Sequence, residues 1–367
     1  MKGKLSKNAL KKTAFTVVSV LIFFASFTLS GGTVKTAIAQ ENMRTVTANE
    51  TVEHLFTHCL ISHPEIAFRQ GNEYGKHLDR DCLTPKEFER ILAELFKNGY
   101  ALVDARETFE TVNGEVRRKN FAFPKNKKPL VLSFDDVVYA EKNRGKGMRD
   151  RLVLTESGKI MAYTETGTNQ RLHDREFLPI LEDFIEKNPD FSPFGARGII
   201  FLTGFDGILG YRTQRDSKNR AEEIKQVKPL LAKMQANGWI FGCHSYAHGH
   251  MRKMTAEQMQ SDVKKWQSEV ESLVGKTQIY AYPYGEWILG EDCNDERQKA
   301  LINAGFSLFC GVGEATFYSK MPLKNSQNKI LFQDRCPLDG VTLRKNRLNR
   351  FFQSEKIYDS ARPIPFL

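Results

Sequence analysis

The sequence predicts a parallel α/β fold, open or closed into a barrel. Short strand-like runs alternate with amphipathic helices from Glu53 to Cys310. The chain has 367 residues, 41% of them hydrophobic, enough to bury a sizeable core in one large domain or two modest ones. No internal repeat or low-complexity segment interrupts the alternation. Charge and apolar content near globular averages exclude a mostly disordered chain and a multispanning membrane protein.

The first 39 residues read as a signal peptide or membrane anchor. Lys2, Lys4, Lys7, Lys11 and Lys12 precede an apolar stretch from Ala14 to Leu29, and Ala37-Ile38-Ala39 offers a cleavage site before Gln40. That stretch is a little short of the roughly 20 residues a spanning helix needs. Cleavage and retention as an anchor through residues 14–29 both put the rest of the chain outside the cytoplasm, secreted or on the outer face of the membrane. Six lysines and no acid lie in residues 1–39, so most of the formal charge of +10 sits there. The remainder carries no nucleic-acid-binding signal. Six cysteines follow, Cys59, Cys82, Cys243, Cys293, Cys310 and Cys336, with no C-x-x-C among them. Their spacing selects no pairing.

Residues 40–52 are polar and read as a linker. Glu53–Ile61 is a candidate first strand. Thr84-Pro85 opens a helix, with Thr as N-cap, Pro at the first position and Phe88, Ile91, Leu92, Leu95 and Phe96 at helical spacing. It stops at Asn98-Gly99, and Tyr100–Val103 follows as a strand. Pro129–Phe134 is a short apolar run of the buried-strand kind. Leu152–Tyr163 reads as a hairpin turning at Ser157-Gly158. Helices over 174–187, 220–236, 256–274 and 295–303 then alternate with strands over 198–203, 239–243, 278–282 and 306–310.

Three polar clusters stand at the C-terminal ends of these strands, where α/β folds collect their chemistry. They are Asp135-Asp136, His244-Ser245-Tyr246-Ala247-His248, and Pro283-Tyr284-Gly285-Glu286. Adjacent carboxylates ending an apolar strand repel one another unless a cation compensates; the bland reading is a helix cap beside a solvated neighbour. His244 and His248 are four apart, so on a helical turn both rings face one point and can ligate a metal with Asp136. His54 and His58 share that spacing but fall on a strand, about 13 Å apart, too far to share one ion. Cys243 alternates to the opposite face from His244 and reads as buried. His250 reads as solvated. The run Arg344, Lys345, Arg347 and Arg350 reads as a solvated face, and Phe351, Phe352 and Phe366 as packing back on the fold.

Ser-Phe-Asp-Asp, His-Ser-x-x-His and Tyr-Pro-Tyr-Gly, in that order and each after a strand, resemble the polysaccharide deacetylases, carbohydrate esterase family 4 with the NodB-homology domain. The strings LVLSFDDVVY and FLTGFDGILGYRT resemble a bacterial subgroup with an insertion after the first motif. The resemblance implies a distorted (β/α) barrel with fewer than eight units over 53–367, with an insertion at about 137–188. It implies a hydrolase of carbon–nitrogen bonds other than peptide bonds, removing N-acetyl groups from an acetylated glycan with the help of a divalent metal, commonly zinc. By motif position Asp135 is the general base, and Asp136, His244 and His248 are the metal ligands. The Tyr284 N–H stands near the oxyanion, and Tyr282 or Tyr284, with Pro283, lines the sugar groove.

Two departures from the pattern follow. The third motif's arginine, which orients the base, is replaced by Ala281. The late histidine that serves as acid is missing, because no histidine follows His250. Arg212, Asp206, Glu286 and Arg344 are candidates for these roles, with Arg212 also a candidate for substrate binding. An O-acetyl esterase on the same scaffold and a non-catalytic glycan-binding barrel are the alternative functions.

Overall fold

A computed structural model describes residues 42–166, 169–173, 175–288, 295–313 and 330–366. Residues 1–39, read as a signal peptide or anchor, with residues 14–29 within them, and Cys293 lie outside the described residues. Among the described residues no helix is long and apolar enough to cross a membrane.

Seven parallel strands close into a ring: β1 (Glu53–Thr57), β2 (Lys128–Phe134), β3 (Ile199–Leu202), β4 (Ile240–Cys243), β5 (Ile279–Ala281), β6 (Leu308–Val312) and β7 (Leu331–Pro337). Each pairs with the next in the chain, and β7 returns to β1 through Cys336 opposite Leu55. The distortion is local. One edge of β2 serves two partners, Tyr100–Leu102 along its first half and β3 along Ser133 and Phe134. The alternative of an open sheet is thereby excluded: this is the distorted barrel of fewer than eight units.

Strand parity sorts the side chains into two cores. Val131, Ile199, Phe201, Ile240, Ile279, Leu308 and Leu331 pack together in one apolar cluster. Their neighbours in sequence, among them Leu130, Leu132, Ile200, Phe241, Tyr280, Phe309 and Phe332, join the larger cluster formed with the helices. The helices are α1 (Tyr74–Asp81), α2 (Pro85–Lys97), α3 (Phe177–Lys187), α4 (Arg220–Asn237), α5 (Ala256–Trp266) and α6 (Glu296–Asn303). Helix α2 begins as its sequence predicts. Thr84 Oγ1 accepts from the Glu87 N–H, and Glu87 returns a carboxylate to the Thr84 N–H, with Pro85 at the first position.

Several elements differ from expectation. Residues 43–46, read as linker, form a strand antiparallel to Phe121–Pro124, because Val46 and Val52 are fully buried in the first apolar cluster. Phe109–Val112 and Glu115–Arg118 form a hairpin around Asn113-Gly114, both left-handed as such a two-residue turn requires. Helix α5 continues past Trp266 into a π-helical stretch, Gln267–Glu271. The strand β7 was not read from sequence at all. The insertion holds the expected hairpin, Arg151–Leu154 with Ile160–Thr166, plus a third antiparallel strand, Asn169–His173, and then α3.

Phe351 and Phe352 are buried, and the Phe366 ring meets Tyr358, as expected of that end of the chain. The nearby basic run is partly tied down. Arg344 pairs with Asp79 and Arg350 with Glu53.

Candidate active site

The first two polar clusters begin one residue beyond a barrel strand and the third begins two beyond β5, and the residue that follows each of these strands is still held by the ladder. The Asp135 N–H donates to Thr57 O, the His244 N–H to Leu202 O and the Tyr282 N–H to Cys310 O. The side chains that follow are therefore fixed in height by backbone pairing before any side-chain contact forms.

Asp135 takes a bidentate ion pair from Arg335, Nη1 to Oδ1 at 2.7 Å and Nη2 to Oδ2 at 2.9 Å. Both side chains are buried. Arg335 lies on β7, two residues after Gln333, and its guanidinium is covered by the rings of Phe56 and Phe201. Burial alone raises a carboxyl, but the charges of Arg335 and His244 outweigh it and hold Asp135 well below the usual carboxylate range. Asp136, packed beside it, is pushed the other way by burial.

His244 donates Nδ1–H to Ala281 O at 2.9 Å. A carbonyl can only accept, so Nδ1 carries the proton and Nε2 keeps a free lone pair. That Nε2 stands 3.8 Å from Asp135 Oδ2. His248 Nε2 lies 3.4 Å from Asp136 Oδ2, and the two histidine rings are 5.0 Å apart. Burial pushes both histidines down, His248 to about 4, so both are neutral near pH 7.

The histidine pair meets by a route other than the helical turn expected. Ser245 and His248 are both left-handed, and the loop between them is pinned by Asp262 of α5, which accepts the Tyr246 and Ala247 N–H groups at 2.8 and 2.9 Å. Left-handed non-glycine residues gather around the site: Asp136, Tyr139, Leu209, Ser245, His248 and Tyr284. Each such residue costs on the order of 1–3 kcal/mol, and proteins concentrate this strain at functional positions.

The donor set suits a divalent cation. One ligand atom from each of Asp136, His244 and His248 lies within 4.8 Å of the others. The 3.4 Å between His248 and Asp136 matches the roughly 3.4 Å that two ligands about 2.1 Å from a tetrahedral ion adopt. The chemistry agrees too, with neutral imidazoles and a carboxylate.

The third cluster divides. Tyr284 is exposed and left-handed, its ring stacked 4.3 Å from His250 and edge-on to His248 at 4.5 Å. The loop's backbone bonds run from the Gly285 N–H to Tyr282 O and from the Glu286 N–H to Pro283 O, leaving the Tyr284 N–H outside them. Tyr282 differs from its groove-lining expectation. Its ring is fully buried among Tyr280, Phe309 and Phe332, and its hydroxyl meets Gln298. Pro283 is buried as well.

Arg212 is engaged within the protein. It pairs with Asp206 and donates to Tyr139 O, joining the loop after β2 to the loop after β3. The other candidates for the missing roles are engaged elsewhere: Glu286 on His250 and Arg344 on Asp79. The group that holds the Asp135 carboxylate is Arg335, absent from the expected set. Its only trace in the sequence is an arginine in the run Leu331–Pro337, at even spacing from Leu331 and Gln333.

A cavity of about 260 Å³ opens above these residues, lined by His58, Tyr74, Asp136, Tyr139 and His248 among others. Cys243 is buried, as expected. His250 is half-exposed and paired with Glu286.

Comparison with known proteins agrees with the motifs. The polysaccharide deacetylase family model matches residues 214–307, the stretch that contains His244, His248 and Tyr-Pro-Tyr-Gly, so the resemblance holds there beyond the motifs themselves. No curated protein matches the chain. Among solved structures, a Streptococcus pyogenes deacetylase, PplD, in complex with acetate is 14% identical, covering 83% of this chain and 99% of its own, with a TM-score of 0.47. A family 4 carbohydrate esterase from Streptomyces lividans, also with acetate, is 18% identical over 44% of this chain and 72% of its own, at a TM-score of 0.24. A family pseudoenzyme from Bacillus anthracis is 15% identical over 49% of this chain and 59% of its own, at a TM-score of 0.26.

Proposed function

From the polysaccharide deacetylase match as premise, we propose that this chain is an exported hydrolase that removes N-acetyl groups from the amino sugars of a cell-wall or other glycan. Asp136, His244 and His248 hold a divalent cation, zinc by the nitrogen-rich donor set. The observation that carries the reading is the three-ligand cluster standing beside a carboxylate already clamped by its own arginine. A glycan-binding protein has no need of that second carboxylate.

The chemistry follows from the geometry. A cation in this site supplies Lewis acidity to an acyl carbonyl and to water. Asp135 is the general base: Oδ2 faces the ligand cluster, and Arg335 fixes the plane of the carboxylate, so no reorganisation is needed at the moment of attack. The Tyr284 N–H, outside the loop's own backbone bonds, is the donor for the developing oxyanion. The exposed Tyr284 ring, backed by His250, offers a flat face to a sugar.

The test is metal content and acetate release from acetylated oligosaccharides by the purified protein beside three variants. About one zinc-like ion per chain, lost in His244→Ala and His248→Ala but kept in an inactive Asp135→Asn, supports the proposal. No bound metal after addition of zinc, cobalt or nickel overturns it.

A further inference from the structure

Alternate residues of β2 and β7 climb from the barrel's apolar floor to the carboxylate of the base. Val131 and Leu331 belong to the apolar cluster, Ser133 and Gln333 come two residues later, and Asp135 and Arg335 two residues after those. An imidazole shares the middle layer. His54 of β1 is buried, with Nε2 2.8 Å from Ser133 Oγ. On the deacetylase reading above, we propose that His54 is a positioning residue for the reaction: through Ser133 it fixes Arg335, and through Arg335 the carboxylate of Asp135.

The bonds run in one direction. A guanidinium only donates, so Arg335 Nη1 gives a hydrogen to Ser133 Oγ at 3.3 Å and another to Asp135 Oδ1 at 2.7 Å. The Ser133 hydroxyl receives there and sends its own proton to His54 Nε2. That needs a neutral ring with a lone pair on Nε2. Burial, and after it the charge of Arg335, hold His54 well below the usual histidine range, so the ring is neutral near pH 7. One ring nitrogen is thus the final acceptor of a chain that starts at the guanidinium.

Arg335 needs that anchor. The rings of Phe56 and Phe201 cover its guanidinium, but flat apolar faces do not stop it from sliding beneath them. Its place within the plane is set by bonds at its edge: Nε to Gly311 O at 3.3 Å, Nη1 to Ser133 Oγ, and the pair to Asp135. Asp135 cannot locate the group that locates it. Gly311 and Ser133 are therefore the outside references, and Ser133 alone depends on a further side chain. Leucine at position 54 keeps a similar volume but offers no acceptor, so the hydroxyl turns and its 3.3 Å bond to Arg335 is lost. The histidines of the ligand cluster are held separately, by Ala281 O and by the loop that Asp262 pins. A displaced base then costs rate without costing metal or substrate affinity.

The test compares full-length wild type with His54→Leu, His54→Gln, Ser133→Ala and the double variant His54→Leu/Ser133→Ala. Acetate release from chitopentaose gives kcat and KM separately, and metal content and melting temperature are measured in parallel. The expected result is a fall in kcat of about 10–100-fold in His54→Leu and in Ser133→Ala, with KM and metal content within about 3-fold of wild type. His54→Gln, whose amide oxygen restores an acceptor, stays within about 3-fold of wild type in kcat, a rescue that volume alone does not provide. The double variant is no slower than the worse single variant by more than about 2-fold, because both cut the same chain. Ser133→Ala, a smaller change at the middle link, carries the test if His54→Leu does not fold. A kcat within about 3-fold of wild type in the folded single variants, a glutamine variant as slow as the leucine one, or losses that multiply in the double variant overturn the assignment and leave the hydrolase reading in place. Loss of the metal in either single variant overturns it too. A wild type that binds no metal or releases no acetate overturns that reading and this assignment with it.

Discussion

Replacing Arg335 by methionine strips the buried Asp135 carboxylate of both its guanidinium bonds, at 2.7 and 2.9 Å, and puts an uncharged chain in their place. Arg335 is fully buried and roofed by two aromatic rings, so no water enters to replace it cheaply. Breaking one side of such a pair costs about 3–5 kcal/mol, most of it the stranded charge rather than the lost attraction. With an unfolding entropy of about 2 cal/mol/K per residue over roughly 320 ordered residues, that corresponds to a fall in melting temperature of about 5–7 °C. The double variant Asp135→Asn/Arg335→Met removes both charges and should recover most of the loss. Calorimetric melts of wild type, both single variants and the double variant at pH 7 give the coupling energy directly. A single variant melting within about 2 °C of wild type, or a double variant whose loss equals the sum of the singles, would refute the claim that this pair is closed and mutually dependent.

Glu176, fully buried before α3, accepts the Leu60 and Phe177 N–H groups on one oxygen and the Ser62 hydroxyl on the other, and burial pushes its carboxyl up to about 7. The folded state therefore holds its proton more tightly than the unfolded chain, so stability is lost as pH rises from about 4.5 to 7. Glu176→Gln keeps the two acceptor bonds and can donate to Ser62; relative to wild type it should gain up to about 3 kcal/mol between pH 5 and pH 8, measured by denaturant titration. Arg362 bonds Glu87, Asp79 and the Cys82 carbonyl from the far end of the chain. Its replacement by methionine should cost about 3–5 kcal/mol in the same titration, and a loss under about 1 kcal/mol would count against a structural role for the C-terminal segment. Tyr284→Ala removes the exposed ring but not the backbone N–H, so KM for an acetylated oligosaccharide should rise about 5–20-fold with kcat within about 3-fold. A fall in kcat alone would place the ring in the chemistry instead.

Much of the scaffold is legible from local pattern. The Thr84-Pro85-x-Glu87 start of α2, the apolar run of β2 and the turn at Ser157-Gly158 all follow from propensities that act over a few residues. So do the heights of Asp135 and His244, since a polar residue ending an apolar strand sits at the strand's exit. The strand β7 escaped notice for a physical reason. Its inward positions include Gln333 and Arg335, which face a polar layer rather than an apolar core, so the hydrophobic alternation that marks a strand fails there. Tyr282 misled in the opposite sense. As a polar-tipped aromatic it can serve a groove or a core, and only its neighbours Phe309 and Phe332 decide between them.

The sequence by itself determined which residue types stand at the ends of which strands: two adjacent carboxylates, two histidines four apart, and an aromatic after a proline. Tertiary structure alone decided which distant groups they meet. Arg335 lies 200 residues from Asp135, and the Asp135 N–H is held by Thr57 O across a pair of strands separated by 70 residues of chain. Closing a parallel ring sets the register of each strand on its neighbour, and register depends on the packing of the whole barrel. Short-range pattern records each strand's two faces, but not the partner that stands opposite.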